Sequence, residues 1–422
     1  MKAVIMAAGE GTRLRPLTYT RPKPMIPIIG KPHLQIILES LKEKANITEI
    51  GIIVGHQKDQ IEAYFQDGSH LGLDLHYITQ PEQLGTGHAA LYAKSFIRSE
   101  PFLLINGDIL LAPDIFNELI QFHRKFPDRS LLSVKQVPDP ASYGIVQFNE
   151  VTGEVTKIIE KPKDDELFPE SYINIGLYIF TPSIFDSIAK TRKSPRGEIE
   201  ITDSIQILIN QGEPVHIFKV DGFWLDLGKP WDLLDANRYF LDRSDLKNQG
   251  TLENNITIVG KVGIGQGTRI LAGAYIEGPV YIGENCKIGP NCYIRPYCYI
   301  ANNVHIGHAC ELKNTIIFDN TTIPHLSYIG DSIIGSGVNL GAGTITANLR
   351  FDKNSIKVTI KGAKMDSGRK KMGTIIGDNS QTGIGATIMP GVKIGPNSIV
   401  GSNATVYKDV PPNTIYLKKE NG

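Results

Sequence analysis

From Ile258 onward a bulky apolar residue recurs at every sixth position, and few folds can use such a period. The series runs Ile258, Ile264, Ile270, Ile276, Ile282, Ile288, Ile294, Ile300, Ile306, Leu312 and Phe318. It slips near Pro324 and resumes at Ile334 and Leu340, with Thr346 the next place in register. After an interruption it returns at Ile388, Ile394, Val400 and Val406. Helix faces repeat every 3.6 residues and strand faces every 2. A sustained period of six instead marks a hexapeptide β-helix, in which short strands stack into a solenoid. Glycine often follows the apolar residue, as in Ile264-Gly265 and Ile306-Gly307. The four cysteines, Cys286, Cys292, Cys298 and Cys310, each stand four places after a series residue. That slot suits a small hydrophobe inside a narrow coil. No C-x-x-C pair is present, which argues against a zinc site.

The N-terminal half lacks the repeat. Strand-like runs (KAVIMAA, EIGIIVG, LDLHYIT, FLLINGD, SLLSVKQV) alternate there with amphipathic stretches such as HLQIILESLKEK and DQIEAYFQ. Alternation of this kind predicts a doubly wound, Rossmann-like α/β sheet with ligands at the carboxyl ends of its strands. The 422 residues therefore divide into an α/β domain over 1–228, a connecting helix and linker over 229–250, and a β-helix over 251–422. The connecting helix is expected from Trp231 to about Arg243, with Pro230 in its first turn, and the tail KKENG is expected to fray. Forty-four basic residues balance forty-four acidic ones, which argues against a nucleic-acid partner. The apolar run Ala3–Ala8 is too short for a signal-peptide core, and no stretch approaches the roughly 20 apolar residues of a membrane span. The default location is the cytoplasm.

Strand KAVIMAA runs straight into Gly9-Glu10-Gly11-Thr12-Arg13-Leu14. Glycines after a strand let backbone N–H groups approach a phosphate. A dinucleotide fingerprint fails at Leu14, and a Walker loop fails at Pro32 after Gly30-Lys31. The longer run GEGTRLRPLTYTRPKPMIPIIGKP instead resembles the signature of nucleotide-diphosphosugar pyrophosphorylases. The resemblance implies that Arg13 holds the departing phosphates and Lys23 neutralises charge at the attacked phosphorus. Ala8, Gly9, Gly11, Gln80, Gly85 and Thr86 would bind the nucleotide. The segment from Gln80 to Ala89 resembles the uracil-reading part of N-acetylglucosamine-1-phosphate uridyltransferases, with Gln80 on the base edge, the glycines letting amides approach it, and His88 structural. Asp108, closing strand FLLI, and Asp226 in WLDLG would share Mg2+. Gly144, Glu160, Asn174 and Thr202 would contact the sugar. Bacterial uridyltransferases that share GTGHA usually carry asparagine where Asp226 stands. The WLDLG and PWDLLDAN segments look more like archaeal-type bifunctional enzymes, leaving UTP and dTTP both open.

Around Pro324 the solenoid resembles the glucosamine-1-phosphate acetyltransferase domain of the bifunctional uridyltransferases, through ELKN, PHLSYIGD, VNLGAGT and AN. That resemblance implies His325 as general base toward the sugar amine and acetyl-CoA as co-substrate. Arg295 and Lys313 would bind the sugar phosphate; Tyr328, Asn339, Asn348 and Lys371 would complete the substrate site, and Ala342 would touch acetyl-CoA. His305 and His308 lie on regular coils and read as structural. The basic insert 349–373, much longer than the bacterial loop, suits either coenzyme A phosphates or a solvated flap. Relatives of this kind form homotrimers, which is the expected assembly. Three readings stand at this point: a bifunctional enzyme making UDP-N-acetylglucosamine, a monofunctional sugar-1-phosphate nucleotidyltransferase with a structural solenoid, and a non-catalytic regulatory subunit. Intact Arg13, Lys23, Asp108 and Asp226 speak against the last.

Overall fold

The computed structural model describes residues 1–160, 162–163 and 171–417, so the tail KKENG lies outside the described residues. The chain forms two compact units. The first comprises Met1–Glu10, Pro22–Met25 and His33–Asp226; the second comprises Gly11–Arg21, Ile26–Pro32 and Leu227–Gly422. The run read as one signature loop is thus shared out between them.

In the first unit the apolar runs form the strands Lys2–Met6, Glu49–Val54, Asp74–Thr79 and Phe102–Asn106, all paired in parallel. Tyr172–Phe180 adds antiparallel to Phe102–Asn106 and extends the sheet. Successive side chains leave a strand on opposite faces. Ala3 and Ile5 therefore enter one core with Leu34, Leu38 and Leu41 of the helix His33–Ala45. Val4 enters the other core, with Ala89, Ala93 and Ile97. Burial on both faces is why these strands read as unbroken apolar runs. The parallel strands end together, which brings Ala7, Gln80 and Asn106 to one edge of the sheet, where ligands of open α/β folds collect.

The second unit holds the helix Asp232–Arg243 and the solenoid. Trp231 is the N-cap, so Pro230 precedes the helix instead of occupying its first turn. Among the described residues three parallel sheets, of nine, eight and seven strands, form the sides of a left-handed hexapeptide β-helix. Ile270, Ile288 and Ile306 stand in register on successive coils, eighteen residues apart, which is three sides of six. Many corners are asparagines at positive φ, among them Asn291, Asn303, Asn320 and Asn397. Asparagine tolerates that left-handed backbone better than other residues with a Cβ. All four cysteines are buried. Burial pushes the Cys292 and Cys298 thiols up to about 12, so they are packing groups and not nucleophiles.

The coil tightens earlier than the sequence suggested. Ile300 pairs with Ile317, and Leu312 with Ile329, seventeen residues apart. Ile317, one residue before Phe318, takes the inward place; Phe318 is buried elsewhere, with the Arg21 guanidinium 4.8 Å from its ring centre. The shortened corners are those of Asn314 and Asp331, both at positive φ. The basic insert is folded. Lys357–Ile360 and Ala363–Asp366 pair as an antiparallel hairpin, and Arg369 at its base forms an ion pair with Asp235 on the helix. Among the described residues, no helix is long and apolar enough to cross a membrane.

Candidate active sites

A cleft of about 270 Å³ opens at the carboxyl ends of the first unit's parallel strands. Ala8, Gly9, Lys23, Gln80, Gly85, Thr86 and Asp108 all line it. Gly11 and the exposed Arg13 belong to the second unit, where Arg13 sits on the short 3-10 turn Thr12–Leu14. Gln80 is buried, and its Nε2 lies 3.1 Å from Nδ1 of His88. An amide nitrogen only donates, so Nδ1 accepts in this pair, and the bond does not engage the Gln80 Oε1. His88, read as structural and lying inside the helix Thr86–Leu91, thus also holds the Gln80 amide. Gln83, to which the sequence reading gave no role, also lines the cleft and donates from Nε2 to the Ala8 carbonyl at 2.8 Å.

The glycines of the GTG segment are explained by a neighbouring backbone. A Cβ on Gly85 would lie 2.6 Å from the Ile199 carbonyl oxygen, and one on Gly87 would lie 3.0 Å from it. Close approach lets the Gly87 N–H donate to the Ile199 carbonyl at 2.8 Å and the Ile199 N–H to Leu84 at 2.7 Å. The Thr86 hydroxyl accepts from the Ile201 N–H at 3.0 Å. The GTG segment is thereby tied to the start of the helix Ile201–Asn210, which carries Thr202.

The four expected sugar residues come together. The Asn174 N–H donates to the Gly144 carbonyl at 2.8 Å, and a Cβ on Gly144 would lie 3.0 Å from Glu160 Oε2 and 3.6 Å from the Thr202 methyl. Gly144 is the floor that leaves this space open. The Thr202 hydroxyl is buried and has no hydrogen-bond partner among the described residues. Such groups are costly unless something arrives to satisfy them.

The two candidate metal carboxylates share one end of a strand pair. Trp224–Asp226 runs antiparallel to Ile109–Leu111, and Asp226 stands opposite Ile109, the residue after Asp108. Lys23 Nζ lies 2.7 Å from Asp108 Oδ2. Beneath them His33 is fully buried, and its Nε2–H donates to the Gly107 carbonyl at 2.6 Å. Burial holds the His33 pKa down to about 4, so the ring is neutral and acts as a strut. Its sequence context, PHLQII, showed only a helix start. Gly107 is wedged against the strand Lys2–Met6: a Cβ there would strike the Met6 carbonyl oxygen and approach the Ala7 Cα. Gly107→Ala is therefore expected to destabilise the first unit by about 1–3 kcal/mol and displace Asp108. Denaturant melts, together with a pyrophosphate-release assay, check this; unchanged stability and activity would show that the strand end yields freely.

On the solenoid, the Arg295 N–H donates to the Leu312 carbonyl at 2.8 Å, which puts Arg295 and Lys313 at equivalent places on successive coils. Arg295 Nη1 is 3.0 Å from Glu311, and Lys313 Nζ is 3.3 Å from Asp331 Oδ2. On the next coil Gly330 pairs with Lys313. A Cβ on Gly330 would lie 2.5 Å from the Tyr328 hydroxyl and 2.6 Å from Asn348 Nδ2, so glycine there leaves room for their 3.0 Å hydrogen bond. Burial, then Asp331 and Glu311, raise the Tyr328 pKa and keep the phenol protonated. His325 is exposed at the end of the strand Thr322–His325, on the adjoining side of the solenoid across the corner Leu326-Ser327. Its carbonyl accepts from the Ser327 hydroxyl at 2.8 Å and the Gly343 N–H at 3.2 Å, which fixes the corner. Asn339 starts the strand stacked on that side, where it pairs with Thr322. Ala342 accepts from the Gly385 N–H at 2.8 Å. Lys371 bridges to Leu349, and the Met372 N–H donates to the Asn348 carbonyl at 3.0 Å, so Lys371 closes the insert beside Asn348. His308, read as structural, pairs in register with His325.

The family model described as nucleotidyl transferase matches residues 2–243. That of the GMPPB C-terminal domain matches 276–383, and the bacterial transferase hexapeptide (six repeats) matches 373–408. The bifunctional protein GlmU of Methanococcus maripaludis (strain S2) is 44% identical over 420 residues, covering 100% of this chain and 98% of the relative. The bifunctional sugar-1-phosphate nucleotidylyltransferase/acetyltransferase of Sulfurisphaera tokodaii is 40% identical over 414 residues, covering 97% and 98%. Among solved structures, a UDP-glucose pyrophosphorylase complexed with UDP-glucose aligns with a TM-score of 0.52 at 27% identity, over 58% of this chain and 99% of that one.

Proposed function

We propose that this chain, which belongs to the nucleotidyl transferase family and within it to the bifunctional GlmU-type enzymes, makes UDP-N-acetylglucosamine by two successive transfers. The solenoid first acetylates glucosamine-1-phosphate with acetyl-CoA. The α/β domain then joins N-acetylglucosamine-1-phosphate to UTP, or dTTP, and pyrophosphate leaves. The functional division follows 1–228 and 251–422, with 229–250 between. One observation carries the reading most strongly: full-length similarity to bifunctional relatives, at 44% identity over 420 residues.

For the first transfer, His325 takes a proton from the 2-ammonium group, because a protonated amine has no lone pair with which to attack. The amine then adds to the thioester carbonyl, and the coenzyme A thiol leaves as the amide forms. Arg295 and Lys313 hold the sugar phosphate. Tyr328, Asn339, Asn348 and Lys371 orient the sugar, and the turn at Ala342 receives acetyl-CoA. A cyclic homotrimer is the assembly we infer from the family, and the cytoplasm the location.

For the second transfer, a sugar-phosphate oxygen attacks the α-phosphorus, and catalysis lies in positioning and charge. Arg13 holds the leaving phosphates, and Lys23 meets the charge that builds at phosphorus. Ala8, Gly9, Gly11, Gly85 and Thr86 cradle the nucleotide, while Gly144, Glu160, Asn174 and Thr202 hold the sugar. Asp108 and Asp226 are oxygen donors at one strand end, and among the described residues no group of three or more His, Cys, Asp or Glu side chains could hold an ion alone. The pair fits magnesium completed by phosphate oxygens and water, and the ion when bound supplies positive charge beside the phosphates.

Base choice follows from Gln80. With Nε2 donated to His88, its Oε1 suits the N3–H of uracil or thymine and opposes the N3 lone pair of cytosine. UTP is expected first and dTTP close behind, with CTP, ATP and GTP poorer by on the order of a hundredfold or more in kcat/KM. A matrix of nucleotides against several sugar phosphates, read as pyrophosphate release, checks this. Preference for a purine nucleotide would overturn the assignment of Gln80.

A further inference from the structure

At the two shortened corners of the solenoid and on the coil that follows, three polar side chains stand seventeen residues apart: Asn314, Asp331 and Asn348. Asp331 is the middle rung, and its side chain is only 6% exposed. One carboxylate oxygen accepts from Asn314 Nδ2 at 2.8 Å. The other accepts from Asn348 Nδ2 at 2.6 Å and lies 3.3 Å from Lys313 Nζ. The same Asn348 nitrogen reaches the Tyr328 hydroxyl at 3.0 Å.

These bonds have a direction. Asp331 as a carboxylate only accepts, so both Asn348 N–H bonds are committed, one to Asp331 and one to the Tyr328 oxygen. That leaves Asn348 Oδ1 turned away from the ladder as an acceptor. It leaves the Tyr328 O–H proton as a donor, since its oxygen already receives. A reversed amide would place Oδ1 against the carboxylate, a repulsion this buried corner cannot screen.

We propose that Asp331 is a positioning residue for acetyl transfer: through Asn348 it fixes the polarity with which Asn348 and Tyr328 meet the amino-sugar phosphate, and it holds Lys313 beside them. This rests on the acetyltransferase reading of the solenoid. Asp331 need not touch substrate, and the nucleotidyl site does not use it.

Asp331→Ala removes both acceptors. The expected result is a fall on the order of ten- to a hundredfold in kcat for coenzyme A release with glucosamine-1-phosphate, the cost of a buried donor set losing its acceptor. Uridylyl transfer from UTP to N-acetylglucosamine-1-phosphate should be unchanged. Asp331→Asn keeps a residue suited to positive φ and one acceptor for Asn348, provided Asn314 turns its amide, so it should recover most of the loss. The decisive reading is coupling. If Asp331 acts through Asn348 on Tyr328, the losses in Asp331→Ala and Tyr328→Phe should overlap in the double variant and not multiply. Multiplying losses, or an Asp331→Ala enzyme within about threefold of the wild type, far below the loss expected of an unsatisfied buried donor, overturn the proposal. Should Asp331→Ala not fold, the same cycle run with Asp331→Asn decides by the same criterion. A wild type that releases no coenzyme A with any amino-sugar phosphate instead removes the acetyltransferase reading itself, and this inference with it.

Discussion

Asp108→Asn is expected to lower nucleotidyl transfer by roughly a thousandfold or more, the scale seen when a charge-stabilising group is lost from a phosphoryl-transfer site. The substitution preserves shape and removes charge. It takes away one of two carboxylates proposed for magnesium and the partner of Lys23, whose Nζ lies 2.7 Å from Asp108 Oδ2. Because an interaction made at the reacting phosphates is lost, kcat should fall with kcat/KM and not be spared by saturating substrate. Acetyl transfer should be untouched, as no residue assigned to it lies in the first unit. Pyrophosphate release titrated with magnesium and with a chelator checks the expectation. Chelator-insensitive activity in the wild type, or a fully active Asp108→Asn, would remove Asp108 from the metal site.

His325→Ala should give the mirror image: acetyl transfer down about a hundred- to ten-thousandfold, the range of general-base help, with uridylyl transfer to N-acetylglucosamine-1-phosphate intact. The side chain is exposed at a strand end, so its removal leaves no cavity in the coil. Arg295→Ala should differ in kind, raising KM for glucosamine-1-phosphate more than it lowers kcat, because a phosphate clamp, the role proposed for Arg295, binds ground and transition state alike. Released coenzyme A can be followed with a thiol reagent. The protein's own cysteines add little background, since all four are buried and burial raises the pKa of each thiol. Wild-type acetylation by His325→Ala would place the base elsewhere. His308, which pairs with His325 on the neighbouring coil, is then the first residue to test.

What the chain determined by itself is whatever repeats or lies close in sequence. The six-residue period of isoleucines foretold the solenoid, because successive coils from Ile264 onward bury the same slot, and it foretold the cysteines as packing residues. Unbroken apolar runs foretold the parallel strands, because strands covered on both faces have no polar side to show. Candidate site residues were legible where a motif is contiguous, as from Gln80 to Thr86.

Tertiary structure decided what depends on which distant backbone comes close. Phe318 kept the six-residue count, yet Ile317 took the inward place, because a corner one residue short cannot be seen until coils are stacked. Gly85 and Gly87 stood out as motif residues, but only folding showed that they admit the Ile199 backbone. The grouping of Gly11–Arg21 with the solenoid rests on partners such as Asp378, which lies 2.5 Å from Arg21 Nη2 and more than three hundred residues along the chain. Asp331 is the clearest case. A carboxylate after glycine has many uses in a sequence, and its role appeared only when two asparagines, seventeen residues to either side, turned their amides onto it in a buried corner where every donor needs an acceptor.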